Sequence, residues 1–293
     1  MTARRHPQRL LIALICGLVG VEFLESGMFV FAATPIMKAI GAGPEQFALA
    51  QMAYAVGNVL MVATQQWMTR HFGYRRYLLL ALLLFGLGDV GAALASNLPE
   101  MVGARLLQGT GGGAFFLSTR VLIPLLFPVP LQRLASYRFM LTIFGVGTLS
   151  PALAAMLVDR WGWPSIFWIQ TPIVAVLAVG VQRLMPRELG KSIKPVRWSA
   201  VPIVLLLLAV GLVQWAFSAA DHALLERPGQ LALAALAGIT LLGLFSLHQW
   251  RQDAPLLHLR ELAHPGFVAG MGLFTAYYFV VNFNNYLFPP YAE

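Results

Sequence analysis

Apolar residues run through this chain in long blocks. Nine stretches of mostly apolar residues follow one another, at 10–32, 46–68, 78–96, 99–126, 135–158, 163–184, 199–219, 230–250 and 266–288. Each is close to the ~20 residues a helix needs to cross a bilayer. The period-two alternation of a membrane β-barrel strand is missing from all of them. A lipid-exposed backbone must satisfy its hydrogen bonds within its own segment, so each stretch is predicted to be a helix. The predicted fold class is all-α, a polytopic transmembrane helix bundle of about nine spans.

Composition agrees with the pattern. Hydrophobic residues make up 58% of the 293, charged residues 11%, and the mean hydropathy is +0.71. So few polar residues cannot cover a soluble domain of this size. The formal net charge of +8 reads as topology. With the N-terminus cytoplasmic, fifteen of the twenty Lys and Arg fall in inner segments, and only Lys38, Arg160 and Arg227 in outer ones. The opposite orientation violates the positive-inside rule in nearly every loop. The expected location is the plasma (inner) membrane. A nucleic-acid partner is not expected, because no folded domain offers a basic face. The first span is too long for a cleaved leader and carries Glu22 and Glu25. Cys16 is the single cysteine, and the six histidines show no ligand spacing, so no metal or bound cofactor is expected.

The inner connector at 186–198, PRELGKSIKPVRW, is the longest charged one. It separates a first bundle, 1–185, from two nearly uncharged spans at 199–250. The remainder, 251–293, holds one further span, made polar by Asn282, Asn284 and Asn285.

Candidate chemistry sits where lipid-facing residues would be apolar. Glu22, Glu25, Asp89, Arg105 and Arg120 all fall within spans. An ionisable side chain at mid-membrane costs about 2.5–3.5 kcal/mol on insertion scales, so it usually faces the bundle interior and has a task. At the helical rise, Glu25, Asp89 and Arg105 each lie roughly 10 Å below the outer surface, on three different helices. Glu22 is one turn deeper than Glu25 on the same face. These residues form a carboxylate–guanidinium cluster whose proton affinity can be switched; the bland alternative is a static ion pair joining two helices. Asp89, flanked by glycines, has the alternative of meeting water near the outer end. Arg120, roughly 9 Å from the inner end, has the alternative of snorkelling. Gln108, Asn282 and Asn285 extend the possible polar pathway. Small residues give a second signal. Gly109 and Gly111 lie in RLLQGTGGG, and Gly147, Ser150 and Pro151 in GVGTLSP. Small side chains let helices approach closely, and an internal proline bends a helix.

At these residues the chain resembles the major facilitator superfamily, and within it the fourteen-helix drug:proton antiporter branch of multidrug efflux type. The run Arg105-Leu-Leu-Gln108-Gly109-Thr-Gly111 is similar to the family's RxxQGxG motif, whose arginine is implicated in proton transfer. Gly147-Thr-Leu-Ser150-Pro151 resembles the antiporter motif that bends the fifth span, with Ser150 where the family has Gly. Leu24-Glu25-Ser26 followed by Pro35 resembles the L-D-x-T…P element of the first span. The segment from Gln66 to Arg76 occupies the place of the gating motif and keeps Gly73 and Arg75. The resemblance implies two six-helix bundles with two extra helices between them. The chain would then hold the first bundle, the two extra helices and one helix of the second.

The resemblance implies a secondary active transporter, not an enzyme, exporting amphipathic or cationic small molecules in exchange for protons. Glu22, Glu25 and Arg105 would bind the proton, and the proton gradient would be the energy source. Phe29, Phe31, Phe115, Phe116 and Trp168 are candidates for an apolar lining. The expected partners are a small-molecule substrate, protons and the bilayer, with the missing C-terminal helices or an oligomer partner completing the assembly. Two alternatives stand beside this reading: a non-transporting or regulatory membrane fragment, and a proton-coupled uptake symporter of the same fold.

Overall fold

A computed structural model of the chain describes residues 5–191, 200–223 and 227–252, with isolated positions between 265 and 276. Asn282, Asn285 and most of the ninth predicted span lie outside the described residues. Nine helices are described: α1 (Arg5–Phe31), α2 (Ala33–Ile40), α3 (Pro44–Leu94), α4 (Leu98–Leu126), α5 (Val129–Trp161), α6 (Ser165–Trp168), α7 (Gln170–Leu184), α8 (Ala200–Ala223) and α9 (Pro228–Arg251). No strand occurs among the described residues.

The predicted second and third spans are the two arms of α3. They meet at Gly73, whose φ of 80° and ψ of 159° are non-helical. Only glycine adopts that backbone without strain, so the hairpin between the two arms turns there. The hairpin between α3 and α4 is closed by a cap. Asn97 accepts the Glu100 N–H at 3.0 Å, and the Glu100 carboxylate accepts the Ser96 N–H at 2.8 Å. These bonds satisfy donors that a helix start leaves unpaired. The predicted sixth span is split: α6 and α7 are separated at Ile169, just before Pro172, which lacks the N–H a continuous helix would use.

The helix α4 wedges between the two arms of α3. A Cβ at Gly109 would fall on the Tyr54 carbonyl of the first arm, and one at Gly111 on Ala81 and Phe85 of the second. Alternate glycines thus face alternate arms, which is what lets three helices pack at backbone distance. On the other side α1 crosses α5 at Gly27, where a Cβ would strike the Ser150 side chain. The serine of the GTLSP run therefore fits only because its neighbour has no side chain. Gly147, by contrast, has open space at its Cβ, and its face of α5 is exposed. The close-packing role read for it from the sequence has no counterpart among the described residues.

Two apolar clusters fill the bundle. One, towards the N-terminal end, includes Ile12, Leu18, Tyr77, Phe85, Phe115, Leu122 and Val181. The other, at the opposite end, includes Met28, Phe29, Phe47, Ala92, Met101 and Phe167. On α1, α3 and α4 the residues between the two clusters include Glu25, Asp89 and Gln108. The polar residues form a layer between two dry ones.

By contacts the chain divides into Met1–Leu242 and Gly243–Glu293. Within the first unit α8 packs along α3, and Gly211 brings it against Val56. The described part of the second unit is the end of α9 and a few isolated positions.

Candidate functional site

The layer is built from α1, α3 and α4. Glu25 is 1% exposed, Arg105 3%, and Asp89 and Gln108 are fully buried. Arg105 Nη1 donates to Glu25 Oε1 in an ion pair and to Gln108 Oε1 at 2.7 Å. Gln108 Nε2 donates to Asp89 Oδ1 at 2.5 Å. One continuous chain, Glu25–Arg105–Gln108–Asp89, thus crosses three helices. Asp89 does not meet water, as its glycine-flanked position had allowed. Gly88 sets it against α4, where a Cβ would lie 2.6 Å from the Gln108 nitrogen.

Two aromatic rings hold the guanidinium. Its Cζ lies 3.8 Å from the Phe29 ring centre and 4.2 Å from that of Tyr54. A ring face carries partial negative charge and attracts a cation, most strongly where water is excluded. The Tyr54 hydroxyl accepts from the Ser26 hydroxyl at 3.4 Å. The layer therefore holds a positive charge fixed in place by rings, with carboxylates on either side.

Glu22 is buried but stands apart from this chain. Its carboxylate accepts the Phe116 N–H at 3.1 Å, tying α1 to α4 one turn nearer the N-terminal end. Arg120 is exposed and joins no part of the cluster. Three atoms of the layer have no hydrogen-bond partner among the described residues: Glu25 Oε2, Asp89 Oδ2 and Arg105 Nε. Among the described residues no group of His, Cys, Asp and Glu has the arrangement of a metal site.

The aromatic candidates separate. Phe29 and Phe115 are buried core residues, Phe29 stacking on Phe47 at 4.9 Å between centres. They are not an open lining, because helix packing covers both faces. Phe116 is half-buried between Phe23 and Phe139, and Phe31 and Trp168 are exposed. The sequence alone does not mark Tyr54 or Gly27. Nothing in their neighbourhoods marks them until α1, α3, α4 and α5 are placed.

Comparison with known proteins bears on this arrangement. The sequence profile of the Major Facilitator Superfamily matches residues 15–293. The chain belongs to the Major Facilitator Superfamily. It is 28% identical over 252 residues to a protein named multidrug resistance protein MdtD of Salmonella paratyphi B, covering 86% of this chain and 53% of that protein. It is 26% identical over 261 residues to drug efflux pump JefA of Mycobacterium tuberculosis, covering 88% and 51%. The chain spans about half the length of these curated relatives. Among solved structures, the POT family transporter PepTSo superposes with a TM-score of 0.57 at 17% identity, covering 80% of this chain and 51% of that one. That likeness concerns the fold. Family membership and the long apolar helices make this an integral membrane protein.

Proposed function

We propose that this chain forms the proton-binding half of a secondary active transporter that exports amphipathic or cationic small molecules in exchange for protons. The observation that carries the reading is the buried chain Glu25–Arg105–Gln108–Asp89 across three helices. Buried charges need partners, because desolvation is costly and only close opposite charge offsets it. One cation, Arg105, stands in this chain with two buried carboxyls, Glu25 and Asp89. It can neutralise one of them; the other stays uncharged only by holding a proton. A layer with more acids than bases is thus a place where protons bind and leave.

Exchange follows from competition. A cationic substrate approaching Glu25 competes with Arg105 and with the proton for the same carboxylate. Because the rings of Phe29 and Tyr54 hold the guanidinium, the proton is the species free to move. Gln108 passes the state of the pair to Asp89, since its carbonyl bonds Arg105 while its amide bonds Asp89. The names of the relatives, multidrug resistance protein and drug efflux pump, favour export and a broad range of substrates. The division into a first bundle at 1–185, a basic linker at 186–198, two extra helices at 199–250 and the start of a second bundle at 251–293 belongs to the same reading. So does a cytoplasmic N-terminus. Alternating access would then engage a second bundle opposite the first.

The test is ethidium efflux from cells expressing the chain, with and without a proton uncoupler. The expected result is efflux that the uncoupler abolishes and that Glu25→Gln removes. Efflux indifferent to both treatments would overturn proton coupling.

A further inference from the structure

A basic pocket at the N-terminal end of the bundle has no place in the coupling chain. Arg75 and Arg76 open the second arm of α3, directly after the Gly73 turn. Arg187 and Lys191 follow the end of α7. These four cations and Glu188 line a cavity of about 240 Å³. A water molecule occupies about 30 Å³ of liquid, so the space admits a group the size of a phosphodiester.

The pocket has a fixed frame. The Tyr74 N–H donates to the Leu189 carbonyl at 2.8 Å, which ties the segment after α7 to the start of the arm. Gly190, with φ of 85°, lies so close to Tyr74 that a Cβ would meet the ring at 2.6 Å. Gly73 faces the carbonyls of Arg187 and Leu189, which a Cβ would approach to 3.1 and 3.3 Å. Arg75 Nε donates to Gln182 Oε1 at 3.3 Å, which orients its guanidinium.

The charge in this frame is not balanced. Among the described residues Glu188 is the only acid lining the pocket, and Lys191 pairs with it at 2.9 Å. Arg76 and Arg187 have no acidic partner among the described residues. Guanidinium groups present flat forks of donors that match phosphate oxygens in pairs. Leu79 lines the pocket as well, and α3 and α6–α7 lead away from it as helices with the length and apolar surface to cross a membrane. A free anion has no use for that surface, whereas acyl chains do.

We propose that this pocket binds the phosphodiester headgroup of an anionic phospholipid, with Arg75, Arg76 and Arg187 on the phosphate and the acyl chains along α3 and α7. Bound there, the lipid links the start of the second arm of α3 to the segment that follows α7. The inference depends on the chain being embedded in a bilayer and not on what it transports.

The test is thermal unfolding of the full chain in detergent with added dioleoylphosphatidylglycerol, dioleoylphosphatidylcholine or inorganic phosphate. The expected result is a rise in Tm with phosphatidylglycerol alone. In the doubly substituted Arg76→Gln, Arg187→Gln protein, the apparent affinity for it falls about tenfold, a loss of ~1.4 kcal/mol. Both side chains are exposed, so the unfolding temperature without lipid is expected to hold. Arg160→Gln, at the opposite end, is the control and should leave the affinity unchanged. Equal shifts from the two lipids, an unchanged affinity in the double variant, or an equal loss in the control would each overturn the site. A shift reproduced by inorganic phosphate would assign the pocket to a free anion and overturn the lipid. Native mass spectrometry of the unaltered chain gives a readout independent of any variant. Retention of phosphatidylglycerol over phosphatidylcholine supports the site, and equal retention overturns it.

Discussion

Arg105 on α4 and Glu25 on α1, eighty positions apart in the chain, form a buried ion pair with the guanidinium held between the rings of Phe29 and Tyr54. Each charge is present because the other is. Removing one partner leaves the other uncompensated in a dry layer, whereas removing both removes the desolvation cost as well.

Arg105→Met is therefore expected to destabilise the chain by about 3–5 kcal/mol, the usual cost of stranding one member of a buried pair. Glu25→Leu should behave similarly. The double variant should recover much of the loss, as a double-mutant cycle on thermal unfolding in detergent would record. Additive losses would mean that the two charges do not depend on one another.

Gln108 joins the pair to Asp89 through both ends of its amide. Gln108→Leu leaves Asp89 Oδ1 without its donor and Arg105 without one acceptor. Each buried group left unsatisfied costs about 1–3 kcal/mol. Asp89→Leu in the same chain should cancel part of that cost. If Asp89→Leu adds to the Gln108→Leu loss in full, the bond between them carries no coupling.

Glycines that look alike in the sequence should differ sharply on substitution. At Gly109 a Cβ meets the backbone of Tyr54, which cannot give way without parting α4 from α3. Gly109→Ala should cost about 1–3 kcal/mol as overpacking. At Gly147 the same methyl meets nothing, and alanine is the better helix former by up to ~1 kcal/mol. Gly147→Ala should leave the stability of the isolated chain unchanged or slightly raised. Comparing the unfolding temperatures of the two variants decides between a packing role at both sites and a packing role at one.

Gly73→Ala places a side chain on a left-handed φ and against two carbonyls. A positive φ with extended ψ, a region essentially reserved to glycine, costs an L-residue about 1–3 kcal/mol. The local consequence should be release of the Tyr74 amide from Leu189. Hydrogen exchange at Tyr74 should become faster in the variant, with protection in α4 retained. Unchanged exchange would show that the turn does not need glycine.

Much of the architecture is legible in the chain. Blocks of apolar residues at bilayer length specify helices, because lipid leaves the backbone no other partner. Intramembrane charges mark the interior for the same reason: Glu25, Asp89 and Arg105 are too costly to face hydrocarbon. The helical rise alone places them at one depth, so that three helices bearing a charged residue each invite a cluster.

What the chain does not disclose is rotation. Depth follows from counting, but which way a side chain points follows from how helices pack. Gln108 as the bridge to Asp89, Tyr54 as half of the clamp, and Gly27 as the space for Ser150 exist only once α1, α3, α4 and α5 are assembled. Phe29 illustrates the difference. Read from sequence it is one more aromatic residue in an apolar span; in the bundle it is buried against Phe47 and covers the guanidinium. Arg120 is the converse, a charge within a span that the packing leaves on the surface. The sequence determined that helices span a membrane and that charges lie among them, because hydration and backbone hydrogen bonding act on each segment separately. Tertiary structure alone decided which charges meet, because contact depends on the mutual rotation of helices, and the steric fit of small residues on two helices at once sets that rotation.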